Sequence, residues 1–302
     1  MKARIGGVVA ALVLLVVSGC APVGRPADGR LSVVTAFYPL QYVAEQVGGE
    51  EVSVTNLTKP GVEPHDLELT ARQVASVARA DLVVYEKGFQ AAVDSAVSEQ
   101  HPARVLDVTT VVPLRTTPGS VGEGKAAGAA VDPHAWLDPL SMSAYAEAVA
   151  QQLAQARPSS ADAFRQRADA LVAQMSELDR SFATGLSGCR LTTFVTSHAA
   201  FGYLAERYGL EQVGITGLAP DLEPTPAHLA AVQKIAQEKG VTTIFSETLA
   251  SPALADALAK DLGLTTDVLD PLEGITSQSR GTDYPSVMRS NLSALREANG
   301  CP

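Results

Sequence analysis

The stretch of residues 158–188, PSSADAFRQRADALVAQMSELDRSFATGLSG, determines how the rest of the chain is interpreted. Apolar residues recur in it at helical spacing, and no proline or glycine interrupts it before Gly185. We therefore predict one continuous helix, longer than is typical of globular proteins, that rigidly links two halves of the chain. The apolar positions that define its buried face are Phe164, Ala168, Leu171, Met175, Leu178 and Phe182.

On both sides of this helix, short β-branched runs alternate with alanine-rich helical stretches. Such alternation is typical of βαβ units and parallel sheets, and the chain length favours two domains. The predicted fold is therefore α/β, with two parallel-sheet lobes joined by one long backbone helix. We assign residues 31–157 to the N-terminal lobe, 158–188 to the linking helix and 189–302 to the C-terminal lobe. Residues 115–131, rich in glycine and alanine without apolar periodicity, are predicted to form a loop.

The N-terminus has the features of an export signal. Lys2 and Arg4 precede a short apolar run, and residues 17–20 (VSGC) follow it. We expect residues 1–19 to be a lipoprotein signal peptide, Cys20 to carry the lipid and residues 20–30 to be a flexible tether. The protein would then be anchored to the outer face of the cytoplasmic membrane. The alternative is an ordinary secretory signal in which Cys20 is incidental.

Charge and cysteine content narrow the function further. Without Lys2 and Arg4, the 23 basic residues fall to 21 against 33 acidic ones, which argues against a nucleic-acid partner. Once Cys20 is lipidated, Cys189 and Cys301 remain, and in an exported chain they predict one disulfide bond. Two free thiols are the alternative.

Three of the five histidines lie in turns marked by proline or serine: His65 after Pro64, His134 after Pro133 and His198 after Ser197. Asp270 occupies a similar turn before Pro271, at the end of a predicted strand. Three imidazoles and one carboxylate make a complete coordination set for a divalent transition metal, and this set suits zinc. The alternative is that each is a surface or turn residue.

The two other histidines and one further acidic residue have weaker sequence contexts. His101 and His228 lack this sequence context and are expected at the surface. Glu247 follows another predicted strand, where it could orient a ligand histidine or cap a helix.

Several motifs resemble, in order along the chain, the zinc- and manganese-binding substrate-binding lipoproteins of bacterial ABC importers. That resemblance implies two α/β lobes joined by one long helix, with the metal in the cleft between them. It assigns the ligands to His65, His134, His198 and Asp270. The motifs are residues 37–40 (FYPL), 61–66 (GVEPHD), 80–84 (ADLVV), 132–139 (DPHAWLDP), 196–204 (TSHAAFGYL) and 270–272 (DPL).

The resemblance implies a monomeric binding protein, not an enzyme, that delivers zinc to a permease and its ATPase. Manganese or iron is the alternative cargo. Many zinc-type members have a histidine-rich loop where this chain has residues 116–130, which contain no histidine. Two other functions remain open at this point. One is a zinc hydrolase with Glu247 as its base, and the other is an adhesin lipoprotein stabilised by metal.

Overall fold

The computed structural model describes residues 29–117 and 130–302. The predicted signal peptide, the lipid-bearing Cys20 and most of the tether lie outside the described residues. The described strands are β1 Leu31–Thr35, β2 Val52–Asn56, β3 Leu82–Tyr85, β4 Val105–Asp107, β5 Arg115–Thr117, β6 Ala130–Asp132, β7 Thr193–Thr196, β8 Glu211–Gly214, β9 Thr243–Ser246 and β10 Thr265–Val268. The α-helices are α1 Tyr38–Gly48, α2 Ala71–Arg79, α3 Ala91–Gln100, α4 Pro139–Ala156, α5 Ala161–Gly185, α6 Gly202–Tyr208, α7 Pro226–Lys239, α8 Ala253–Leu262 and α9 Tyr284–Asn299.

The chain folds into two four-stranded parallel sheets with helices around them. The first sheet has the strand order β2-β1-β3-β4 and the second the order β10-β9-β7-β8. Every pairing within these two sheets is parallel. The central strands β3, β7 and β9 are buried along their whole length, as expected for parallel strands covered on both faces. The predicted fold class is confirmed.

Helix α5 connects the two halves, as the sequence predicts. Its buried residues are the six apolar positions of the predicted face. Helices α1 and α4 of the first half and α9 of the second half pack against it. One hydrophobic core runs from the first sheet through α5 into the C-terminal half, and a smaller core lies around β8 and α7. The two halves therefore share buried apolar surface.

One local prediction needs correction, and one helix is additional to those indicated by the sequence. The ends of the predicted loop 115–131 form an antiparallel hairpin, in which Arg115 of β5 pairs with Asp132 of β6. Residues 118–129 of that loop lie outside the described residues. Helix α3 was not predicted, because it buries only Val93 and Ala96 and therefore lacks a clear apolar period.

The C-terminus is joined covalently to the start of the second half. Cys189 and Cys301 form a disulfide bond, so this prediction is confirmed. Next to it, Leu191 N donates a hydrogen bond to the carbonyl of Asn299. Within residues 29–117 and 130–302, no helix has the length and apolar character needed to cross a membrane.

Candidate metal centre

Four side chains converge at the carboxyl ends of the strands. His65 lies in the turn between β2 and α2, and His134 directly precedes a short 3-10 helix, Ala135–Leu137. His198 follows β7, and Glu273 lies in the segment between β10 and α9. In open parallel sheets the carboxyl ends of strands are the usual place for ligands. Each half therefore contributes two side chains to one cluster.

The four ligand atoms of this cluster lie close together, all within 4.8 Å of one another. Glu273 Oε1 is 3.3 Å from His65 Nε2, 3.5 Å from His134 Nε2 and 3.4 Å from His198 Nε2. The Nε2 atoms of His134 and His198 are 3.3 Å apart. Tetrahedral zinc with bonds of about 2.0–2.1 Å requires ligand atoms about 3.3–3.4 Å apart, since a tetrahedron's edge is about 1.63 times its centre-to-corner distance. These four separations therefore match those expected around a four-coordinate zinc ion.

Carboxylates behind two of the histidines determine which ring nitrogens point inward. His134 Nδ1 lies 2.8 Å from Asp132 Oδ1, and His198 Nδ1 lies 2.7 Å from Glu247 Oε1. Each Nδ1–H donates to its carboxylate, so Nε2 is the ring nitrogen left to bind a metal ion once it carries no proton. The backbone amides of both histidines donate to the same carboxylate oxygens, which further restricts the two rings.

His65 is held by packing and by its own backbone. Its amide donates to Glu63 Oε2, and its ring meets the Phe89 ring edge-on with centroids 4.7 Å apart. Phe89 in turn packs on Trp136. The first-half side of the cluster is thus enclosed by aromatic rings, which exclude water and strengthen electrostatic interactions inside the site.

The charges in the site are strongly coupled. Burial opposes the charge of Glu273, but hydrogen bonds from His134, His198 and His65 hold its pKa well below the usual range. Burial also opposes protonation of His198, yet Glu247 and Glu273 raise its pKa to about 10. Burial opposes protonation of His134 too, but Asp132 and Glu273 raise its pKa. For His65 the effect of burial is larger than that of Glu273, so its pKa is lowered. A buried carboxylate thus stays ionised amid imidazoles, as a cation site requires.

The structure places Glu273, and not the expected Asp270, beside the three histidines. Asp270 is not part of the cluster; Glu273, three residues later, occupies that place. Asp270 Oδ1 instead accepts a hydrogen bond from Leu272 N at 2.8 Å, so this oxygen is bound within the loop that carries it. A signal for Glu273 was available, since it is an acidic residue directly after the Asp-Pro-Leu motif, but it neither adjoins a proline nor directly follows a strand.

The two remaining histidines lie outside the cluster. His101 is exposed at the end of α3, as expected, and adopts a left-handed backbone conformation with φ 47°. His228 was expected at the surface but is buried at the start of α7, where its Nε2 lies 3.0 Å from the carbonyl of Gly214. Its role is therefore internal hydrogen bonding.

Comparison with known proteins identifies relatives across nearly the whole described chain. Residues 33–298 match the family model described as zinc-uptake complex component A, periplasmic. The zinc-binding lipoprotein AdcA of Streptococcus pneumoniae R6 is 36% identical over 283 residues, which cover 90% of this chain and 56% of AdcA. The chain thus spans little more than half of that relative.

Other relatives match over their full length. The high-affinity zinc uptake system protein ZnuA of Bacillus subtilis 168 is 33% identical, and the match covers 96% of both chains. The crystal structure of the Zn(II)-bound ZnuA-like domain of S. pneumoniae AdcA superposes with a TM-score of 0.75 at 36% identity. That superposition covers 90% of this chain and 99% of the domain.

Proposed function

We propose that this chain, which belongs to the family of zinc-uptake complex component A, captures Zn²⁺ outside the cytoplasmic membrane and delivers it to an ABC importer. One observation carries the proposal: three inward-facing Nε2 atoms surround Glu273 Oε1 at 3.3–3.5 Å. The proposed ligands are His65, His134, His198 and Glu273. The zinc-related names of the relatives support the same cargo.

The donor set favours zinc over the alternative cargoes. Three imidazole nitrogens and one carboxylate oxygen form a borderline-soft, four-coordinate site, whereas manganese prefers more oxygen ligands and a higher coordination number. Intrinsic affinity for nitrogen donors also favours zinc over manganese and iron. Manganese and iron are therefore expected to bind more weakly at the same site.

The same geometry argues against the hydrolase alternative. Catalytic zinc sites keep one position for water, but four protein ligands here would fill a tetrahedral ion. Glu247, the base in that alternative, is 2% exposed at its side chain and accepts two hydrogen bonds from His198. It is therefore committed to orienting that histidine. Metal-dependent turnover of ester or amide substrates would contradict the carrier assignment.

The ion is proposed to enter beside His65. The His65 side chain is 11% exposed, against 0–1% for the other three proposed ligands. Carboxylate oxygens of Glu63, Asp66 and Asp221 lie within 4.8 Å of one another next to it, and the last two residues are exposed. Their negative charge would raise the local concentration of cations at this opening.

The proposed location and partners follow from the sequence and the relatives. We propose export, lipidation at Cys20 and delivery by a monomer to a permease with its ATPase. AdcA, the similar streptococcal protein, is named a lipoprotein, and the family description says periplasmic. Radiolabelled palmitate incorporated into wild type but not into Cys20→Ser would support the anchor.

The deciding experiment is a zinc titration of the mature chain in competition with a chromophoric chelator. We expect one ion per chain, a large loss of affinity in Glu273→Ala, and none in the matched control His101→Ala, because His101 is exposed and outside the cluster. Equal zinc affinity in wild type and Glu273→Ala would refute the assigned site. Manganese binding tighter than zinc would refute the assigned cargo.

A further inference from the structure

A strained turn holds Glu273 in place. Leu272 has φ 60°, in the left-handed region that residues with a side chain seldom adopt, although its own side chain is fully buried. Such a conformation persists only where its surroundings enforce it, and it is common at binding sites. Leu272 directly precedes Glu273, so its backbone angles set the direction of the Glu273 side chain.

Three hydrogen bonds on Asp270 enforce this turn. Asp270 N donates to Asn291 Oδ1 at 2.9 Å, and Asn291 Nδ2 donates back to the Asp270 carbonyl at 2.7 Å. Asp270 Oδ1 then accepts from Leu272 N at 2.8 Å. Helix α9, which carries Asn291, thus fixes Asp270, and the Asp270 side chain fixes the strained residue.

A fourth hydrogen bond comes from the other half of the molecule. Trp136 Nε1 donates to the carbonyl of Pro271 at 2.8 Å, and Trp136 lies two residues after His134. The same turn that presents His134 therefore also holds the turn that presents Glu273. All of these partners are buried, so water does not compete strongly for these hydrogen bonds.

We infer that Asp270 is a positioning residue, which sets zinc affinity through Glu273 by holding the left-handed turn at Leu272. The inference rests on the proposed function, since it assumes that Glu273 binds the ion. The competing explanation is that Asp270 contacts the metal directly, because its second oxygen, Oδ2, is also buried. The two explanations make opposite predictions for one substitution.

Asp270→Asn separates them. The amide oxygen of the asparagine can still accept a hydrogen bond from Leu272 N, so a positioning role predicts zinc affinity within about threefold of wild type. The small remaining loss would come from the weaker hydrogen bond that an uncharged acceptor makes. Asp270→Leu removes the acceptor and should lower the affinity about 10- to 100-fold, the usual effect of losing a residue that supports a metal ligand. If Asp270 were a ligand, both variants would lose affinity equally, which would overturn the inference.

A double variant tests whether the effect passes through Glu273. Once Glu273→Ala has removed the ligand, adding Asp270→Leu should lower zinc affinity no further. An additional loss of about tenfold or more, as expected of an independent interaction, would overturn the inference. Should Asp270→Leu fail to fold, Trp136→Phe takes its place, because it removes the donor to Pro271 and keeps the ring packing. Its loss of affinity must likewise vanish in the Glu273→Ala background.

Cobalt absorption supplies a readout that general destabilisation would not move. The visible spectrum of bound Co²⁺ depends on the ligand set, so Asp270→Leu should give the Glu273→Ala spectrum and Asp270→Asn the wild-type one. A wild-type spectrum in Asp270→Leu would overturn the inference. If wild type itself binds no zinc, the proposed function fails; if wild type binds and the variants disagree with these expectations, only the positioning role fails.

Discussion

Substitution of Glu247 probes how much a carboxylate behind a histidine contributes to the zinc site. Glu247 Oε1 lies 2.7 Å from His198 Nδ1 and 3.0 Å from His198 N, and both side chains are buried. Glu247→Gln keeps an oxygen that can accept both bonds but removes the charge. Glu247→Ala removes the acceptor and leaves two buried N–H groups without a partner. The pair of variants therefore separates the charge from the hydrogen bonds.

The expected magnitudes follow from these contacts. A hydrogen bond to a charged group contributes about 1.5–3 kcal/mol and a neutral one about 0.5–1.5 kcal/mol, so Glu247→Gln should lose about 1–1.5 kcal/mol. That corresponds to about tenfold in zinc affinity. Glu247→Ala also frees the ring to rotate and to change tautomer, so we expect about 100-fold, the upper end for residues that support a metal ligand. Both variants should also lower the free energy of unfolding without zinc, and the alanine variant should do so more, by about 1–3 kcal/mol for each unsatisfied donor.

The assay is chelator competition at pH 7.5, together with denaturant unfolding of the metal-free variants. Glu211→Gln is the matched control, because Glu211 lies in the same half, about half exposed, and bonds Lys239 instead of a proposed ligand. It should leave zinc affinity unchanged. A loss of less than threefold in a folded Glu247→Ala variant would show that the tautomer and orientation of His198 do not depend on this carboxylate.

Three further outcomes are expected. Because the raised pKa of His198, about 10, keeps the ring protonated in the metal-free protein, zinc must displace a proton, and zinc affinity should rise about tenfold per pH unit from pH 6 to 8. Calorimetry in buffers of different ionisation enthalpy would detect the released proton, and a plateau in zinc affinity above pH 7 would contradict this coupling. Replacing residues 118–129 by Asn-Gly should join the paired Thr117 and Ala130 in a tight hairpin and leave zinc affinity nearly unchanged; a large loss would show that the segment shapes the site. Replacing Cys189 and Cys301 by serine should lower the free energy of unfolding by about 2–4 kcal/mol. Zinc affinity should not change, because neither cysteine lies in a turn that carries a proposed ligand, and an unchanged free energy of unfolding would contradict a structural role for the disulfide.

The sequence predicted the features that depend on local pattern. The apolar period of α5 is visible without tertiary information, and each buried position on it could be named. The alternation of strands and helices is visible because parallel strands buried on both faces are continuous apolar runs, such as residues 82–85. The three histidines could be grouped because each lies in a turn next to a predicted strand or proline.

The fourth ligand could not be chosen from local pattern. Asp270 and Glu273 are both acidic and lie in one turn, so composition does not distinguish them. The choice depends on Leu272 adopting a positive φ, which no residue preference predicts for leucine. That conformation is imposed by hydrogen bonds with two distant residues. Asn291 lies 21 residues after its partner Asp270, and Trp136 lies 135 residues before its partner Pro271. Long-range hydrogen bonds of this kind are invisible in a single sequence.

The way the halves are joined beside the site limits which ions it can accept. Trp136 Nε1 binds the Pro271 carbonyl, and Tyr284 from α9 donates to the Trp136 carbonyl at 2.6 Å, so these contacts between the halves involve no metal ligand atom. The cluster is therefore held in place by protein contacts, and an ion need not draw two separate lobes together. Calcium, which takes about six to eight oxygen ligands at about 2.3–2.6 Å, matches neither the number nor the type of these ligand atoms. Zinc fits the existing spacing, so we expect the site to select ions by dimensions that are set before the ion arrives.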